Sequence, residues 1–164
     1  MRPGCYDPCV DPEIERSLHR YREVLQAHLG DALVTLAAFG SQVQGRARPE
    51  SDLDVLLIAE GLPRSRLERQ GIALGLANAV SDSFAERISV IPLTPEEARP
   101  VKPFYLGLLD GYQALVDRGG FLDEILRRLR ARLLELGSRR LVDDQGNPYW
   151  DLKPDYVLGE DVIL

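Results

Sequence analysis

The chain has 164 residues, 45% of them apolar, enough for one domain with a buried core and too many for a disordered chain. Its 20 basic and 26 acidic residues leave a net charge of −6, which excludes a globally basic nucleic-acid binder. No apolar run approaches the roughly 18–20 residues that cross a bilayer, and Met1-Arg2-Pro3-Gly4-Cys5 opens no signal peptide. A cytoplasmic protein without membrane association is therefore expected.

The charge is unevenly placed. Asp143, Asp144, Asp151, Asp155, Glu160 and Asp161 face only Lys153 in residues 143–164, so the rest of the chain is nearly balanced. Cys5 and Cys9 lie in a Pro-rich start. A zinc site wants four ligands, and the remaining candidates, His19 and His28, lie elsewhere, so unpaired thiols are expected.

Along the chain, Asp11-Pro12-Glu13 reads as a helix start, a capping Asp before Pro at the first helical position. Ile14, Leu18, Tyr21, Leu25 and Leu29 follow at helical spacing, and Gly30 ends the helix. Residues 32–39 and 53–59 are nearly continuous apolar runs and predict strands covered on both faces. Residues 65–80 predict a helix weakened by Gly71 and Gly75, and residues 86–93 a third strand. Thr94-Pro95-Glu96-Glu97 is a helix start in which Glu97 completes a capping box. A short helix near 101–109 and a strand near 112–116 follow. Phe121, Ile125, Leu129, Leu133 and Leu136 line one face of a helix over 121–136 that Gly137 stops, with Arg127, Arg128, Arg130 and Arg132 around the rest. Residues 141–164 read as short strands or extended chain around Gln145-Gly146-Asn147-Pro148.

The chemistry concentrates between the first two strands. A buried strand runs into Gly40-Ser41 and a Gly-containing turn, which can aim backbone N–H groups and the Ser41 hydroxyl at an anion. Ten residues later Asp52-Leu53-Asp54 enters the next strand. Alternation places Asp52 and Asp54 on one face, about 7 Å apart along the backbone. Two such carboxylates repel, and a divalent cation relieves them; Mg²⁺ is commonly held by one or two carboxylates plus phosphate oxygens and water.

Gly40, Ser41, the ten-residue spacer, Asp52 and Asp54 resemble the signature of the nucleotidyltransferase superfamily that includes DNA polymerase beta, in particular its minimal members. The resemblance runs over roughly residues 10–115. It implies an α/β fold: a small mixed β-sheet with packed helices, plus a C-terminal helix and extended tail. Residues 1–118 would form the nucleotidyltransferase domain, and 119–164 the helix and acidic tail packed on it. It also implies transfer of a nucleoside monophosphate from a nucleoside triphosphate to a protein or other acceptor, with release of pyrophosphate. Asp52 and Asp54 would be the catalytic residues and hold Mg²⁺ or Mn²⁺. Gly40 and Ser41 would hold the triphosphate, with Arg46 and Ser51 as further nucleotide contacts; Arg48 is an alternative to Arg46.

Catalytic members carry a third carboxylate on the following strand, where this chain has Ser89; Glu86, read as part of that strand, would face away. Many members also place Arg in the loop where this chain has Gln42 and Gln44. The alternative to an enzyme is therefore a catalytically impaired nucleotide- or partner-binding module. The resemblance includes members paired with a small helical partner protein in toxin–antitoxin modules. A homodimer through the arginine-rich helix and the acidic tail is a second expected association, and nucleic acid is not expected as a partner.

Overall fold

The side-chain oxygen of Asp11 accepts the Glu13 N–H at 2.8 Å and, with Pro12 at the first position, starts α1 (Pro12–Leu29). A short 3₁₀ turn over Gly30–Ala32 then leads into β1 (Leu33–Phe39). There follow β2 (Leu53–Ala59), α2 (Arg66–Asn78), α3 (Asp82–Arg87), β3 (Ile88–Leu93), α4 (Pro95–Ala98), α5 (Phe104–Leu109), β4 (Tyr112–Asp117), α6 (Phe121–Glu135), β5 (Arg139–Val142) and β6 (Pro148–Asp151). The computed structural model describes residues 11–48, 51–158 and 161–164; Cys5, Cys9 and Glu160 lie outside them.

The main sheet has the order β3-β2-β1-β4, with β1 antiparallel to both neighbours and β2 parallel to β3. Its apolar strands are covered on both faces, which is why they read as continuous hydrophobic runs. On one face Leu53, Val55 and Leu57 pack with Leu18, Tyr21 and Leu25 of α1 and Ala73 and Ala77 of α2. On the other, Leu56 and Ile58 pack with Tyr105 and Leu108 of α5 and Leu122, Ile125, Leu126 and Leu129 of α6. The fold is thus α/β, a small mixed sheet with packed helices, as expected. Buried tyrosines bond at their tips: Tyr21 to the Ala73 carbonyl at 3.0 Å and Tyr105 to the Ala98 carbonyl at 2.7 Å.

The third strand departs from the sequence reading. Residues 82–87 form α3, capped by Ser81, whose hydroxyl accepts the Phe84 N–H at 3.2 Å. The strand therefore begins at Ile88, and Glu86 lies exposed on the helix rather than on a strand. The capping box at α4 forms as expected, Thr94 bonding the Glu97 N–H and Glu97 the Thr94 N–H. Glu97 also pairs with buried Arg69.

The tail forms an antiparallel hairpin of β5 and β6, its turn held by Asp143, which accepts the N–H groups of Gln145 and Asn147. Arg140 binds Asp110 through two bonds of 2.7 and 2.6 Å and lies over the Trp150 ring. Arg127 pairs with Glu124 and Arg132 with Glu135 along α6, and Arg132 Nε also donates to the Ile163 carbonyl at 2.9 Å. No described helix is long and apolar enough to cross a membrane.

Candidate active site

The end of β1 determines the site. Gly40 leaves the strand with φ +82, in the left-handed region where a side chain is strained. Residues 40–46 wind into one helical turn: Gln44 N–H reaches the Gly40 carbonyl at 3.1 Å and Arg46 N–H the Ser41 carbonyl at 2.9 Å. Gly45, at φ +68, closes it as a left-handed C-terminal residue does in a Schellman motif. The first N–H groups of such a turn have no acceptor within it, so those of Ser41, Gln42 and Val43 lie at its open start.

Two glutamines that stand where the sequence signature favours arginine clamp this turn. Gln42 is buried and its Nε2 donates to the Ser51 carbonyl at 2.8 Å, tying the turn to the entry of β2. Gln44 Nε2 donates to the Gly107 carbonyl at 3.1 Å, tying it to α5. Arg46 donates to the Gln44 amide oxygen, so the same glutamine orients it. Arg46, Gln44, Asp110, Gly111 and Arg140 surround a cleft of about 350 Å³ between the turn and the C-terminal hairpin. The Ser51 hydroxyl accepts the Arg48 N–H at 2.8 Å, which places Ser51 as a turn-forming residue at the mouth of β2.

Antiparallel pairing sets Phe39 opposite Asp54, so the last residue of β1 and the second aspartate share one row of the sheet. A Cβ on Gly40 would lie 2.5 Å from Asp54 Oδ2, which means that the carboxylate rests directly against the Gly40 backbone. Asp54 is half-buried at the end of the row that continues as buried Leu56 and Ile58. Burial pushes its carboxyl above the usual carboxylate range, and the charge of Asp52 pushes it further in the same direction. Asp52, just before β2, is exposed. Among the described residues neither aspartate has an ion-pair partner.

In the parallel ladder Asp54 is the register partner of Ser89 on β3. Register neighbours in a sheet point to the same face, so Asp54 and half-buried Ser89 stand side by side. Glu97 is committed to the α4 cap and to Arg69, which holds its carboxyl below the usual range. Among the described residues no cluster of three or more His, Cys, Asp or Glu side chains is placed to hold a metal. The donor set is two carboxylates and a hydroxyl, and it fits a hard divalent ion that takes its remaining oxygens from phosphate and water.

The description "nucleotidyltransferase domain" belongs to the family model that matches residues 18–106, a span including the turn, both aspartates and Ser89. A relative from Methanocaldococcus jannaschii, named for protein adenylyltransferase activity, is 29% identical over 115 residues, 69% of this chain and 78% of that protein. Among solved structures, a mutant of the toxin-antitoxin MntA-HpeT is 15% identical and superposes with a TM-score of 0.51, covering 73% of this chain and 88% of that chain. That last likeness is one of fold.

Proposed function

The chain belongs to the nucleotidyltransferase domain family, and on that premise we propose that it binds a nucleoside triphosphate with a divalent ion and transfers the nucleoside monophosphate to a protein hydroxyl. The observation that carries this reading is the Asp54 carboxylate, half-buried, seated against Gly40 and coupled to Asp52, with neither aspartate ion-paired among the described residues. Nucleotidyltransferases of this family generally use divalent metals. Asp52 and Asp54 would hold the ion, and Mg²⁺ or Mn²⁺ suits so sparse a protein shell. When bound, the ion supplies charge neutralisation at the transferring phosphoryl group.

The chain's own residues do the rest. The N–H groups that open the 40–46 turn and the Ser41 hydroxyl receive the triphosphate, and Arg46 stands beside them on the clamp made by Gln44. The acceptor oxygen bonds to the α-phosphorus, the bond to the bridging oxygen of the β-phosphate breaks, and pyrophosphate leaves. Ser89 offers no base, so the hydroxyl proton passes to water. A protein acceptor is supported by the activity for which the M. jannaschii relative is named. A small helical partner protein is the acceptor class we favour, and the toxin-antitoxin assembly of the structural neighbour supports that choice.

A second reading rests on Asp54 having Ser89, not a carboxylate, as its register partner. On that reading the site binds the nucleotide without turnover. Incubation with α-labelled ATP, GTP, CTP or UTP, Mg²⁺ or Mn²⁺ and a lysate of the source cell separates the two. Label transferred to a protein, and absent with Asp54→Ala, supports transfer. Binding of nucleotide without any transferred label supports the second reading.

A further inference from the structure

Transfer at phosphorus proceeds in line, the acceptor entering opposite the leaving group. In this sheet the triphosphate turn follows β1, Asp54 lies on the neighbouring β2, and Ser89 lies beyond it on β3. With pyrophosphate leaving on the β1 side, the acceptor approaches over Ser89, from the free edge of the sheet. That edge carries a groove of about 370 Å³, lined by Arg66, Gln70, Pro92, Lys102 and Phe104 among others. Phe104 stacks on Phe39 at 6.1 Å, and Phe39 is the other register partner of Asp54. Phe104, a wall of the groove, thus packs on the residue that stands opposite Asp54 in the sheet.

The groove is not built for strand addition. Gln70 Nε2 already donates to the Val90 carbonyl at 3.0 Å, and Pro92 has no N–H to offer. What it presents is charge beside apolar surface. Arg66 and Lys102 form no ion pair among the described residues; Glu97 is bonded to Arg69, and Arg66 acts on it only as a more distant charge. A chain of net charge −6 with two cations here lacks the basic track of a nucleic-acid binder. We infer that the outer edge of β3 is the acceptor-docking groove and that it takes an acidic polypeptide segment, whose hydroxyl is presented over Ser89. This rests on the transferase reading above and adds to it where the acceptor docks and its charge.

The test uses the full chain with fluorescent peptides: a tyrosine flanked by glutamates, its lysine-flanked counterpart, and an oligothymidylate of matched length, each followed by anisotropy. The glutamate peptide is expected to bind about tenfold more tightly than the lysine peptide. Arg66→Glu with Lys102→Glu should reverse that preference, and Arg20→Glu, an exposed change on α1, should preserve it. Equal binding of both peptides, retention of the preference in the charge-reversed protein, or tighter binding of the oligonucleotide overturns the inference. Calorimetry of ATP with Mg²⁺ on the same proteins reports on the nucleotide reading separately. If ATP binds and the peptides do not discriminate, the docking groove alone is wrong.

Discussion

Gly40→Ala tests the contact at the centre of the site. The substitution meets two costs. At φ +82 an alanine is strained, by about 1–2 kcal/mol. Its Cβ would also lie 2.5 Å from Asp54 Oδ2, so the carboxylate must rotate off its preferred position, at about 1 kcal/mol more. Gly61→Ala is the control: φ is +69, yet nothing lies within 4 Å of an added Cβ, so only the strain remains. Urea denaturation should therefore show Gly40→Ala to be less stable than wild type by about 2–3 kcal/mol, and Gly61→Ala by about 1–2 kcal/mol. In an Asp54→Ala background the excess at position 40 should vanish. Calorimetry should show Gly40→Ala losing at least about tenfold in Mg²⁺-dependent ATP affinity, because the displaced carboxylate no longer faces the ion. Equal losses of stability at positions 40 and 61, with nucleotide binding intact, would refute the placement of Asp54 against the turn.

Further outcomes follow from the same geometry. Ser89→Asp sets a third carboxylate beside Asp54, so it should lower stability in EDTA by about 1–2 kcal/mol yet raise the melting temperature gained on adding Mg²⁺ or Mn²⁺; a uniform loss with no added metal response would show that Ser89 is an ordinary strand residue. Glu97→Ala strands buried Arg69 and removes half the α4 capping box, which should cost about 2 kcal/mol by denaturation at neutral pH. Because the folded-state pKa of Glu97 is lowered, its stabilisation is complete above its ordinary value of 4.5 and is lost as pH falls below it; an unchanged wild-type minus Glu97→Ala difference on acidification would contradict the pairing. Arg140→Ala frees the C-terminal hairpin from Asp110, and proteolysis should then cut within residues 143–147 faster than in wild type, with a stability loss of about 1–3 kcal/mol.

The elements legible in the sequence are those whose causes are local. The capping Asp11 before Pro12, the Thr94–Glu97 box and the glycine after α6 each act within a few residues, and the structure forms them. Helix α3 escaped because Glu86 and Arg87 run straight into apolar Ile88, so periodicity alone extends the strand backward; its cap, Ser81, was the local sign. The spacing from Gly-Ser to Asp-x-Asp located the turn and the aspartates, but not the contact of Asp54 with Gly40, which depends on the pairing of β1 with β2. The adjacency of Asp54 and Ser89 likewise depends on parallel register set by the crossover through α2 and α3. Least visible were the clamps. Gln42 and Gln44 bond backbone carbonyls at Ser51 and Gly107, and a carbonyl is carried by every residue. Arg140 meets Asp110 across thirty positions only because the hairpin folds back on α5.

The central claim is that Asp52 and Asp54 bind the nucleotide through a divalent ion and that the Gly40–Ser41 turn receives its phosphates. The most direct measurement is titration calorimetry of ATP into the full chain, with Mg²⁺ and with EDTA, on wild type and Asp54→Ala. Wild type with Mg²⁺ should give a saturable heat that disappears in EDTA, and Asp54→Ala should bind at least about tenfold more weakly. ATP binding of undiminished strength in EDTA, or in Asp54→Ala with Mg²⁺, would contradict it.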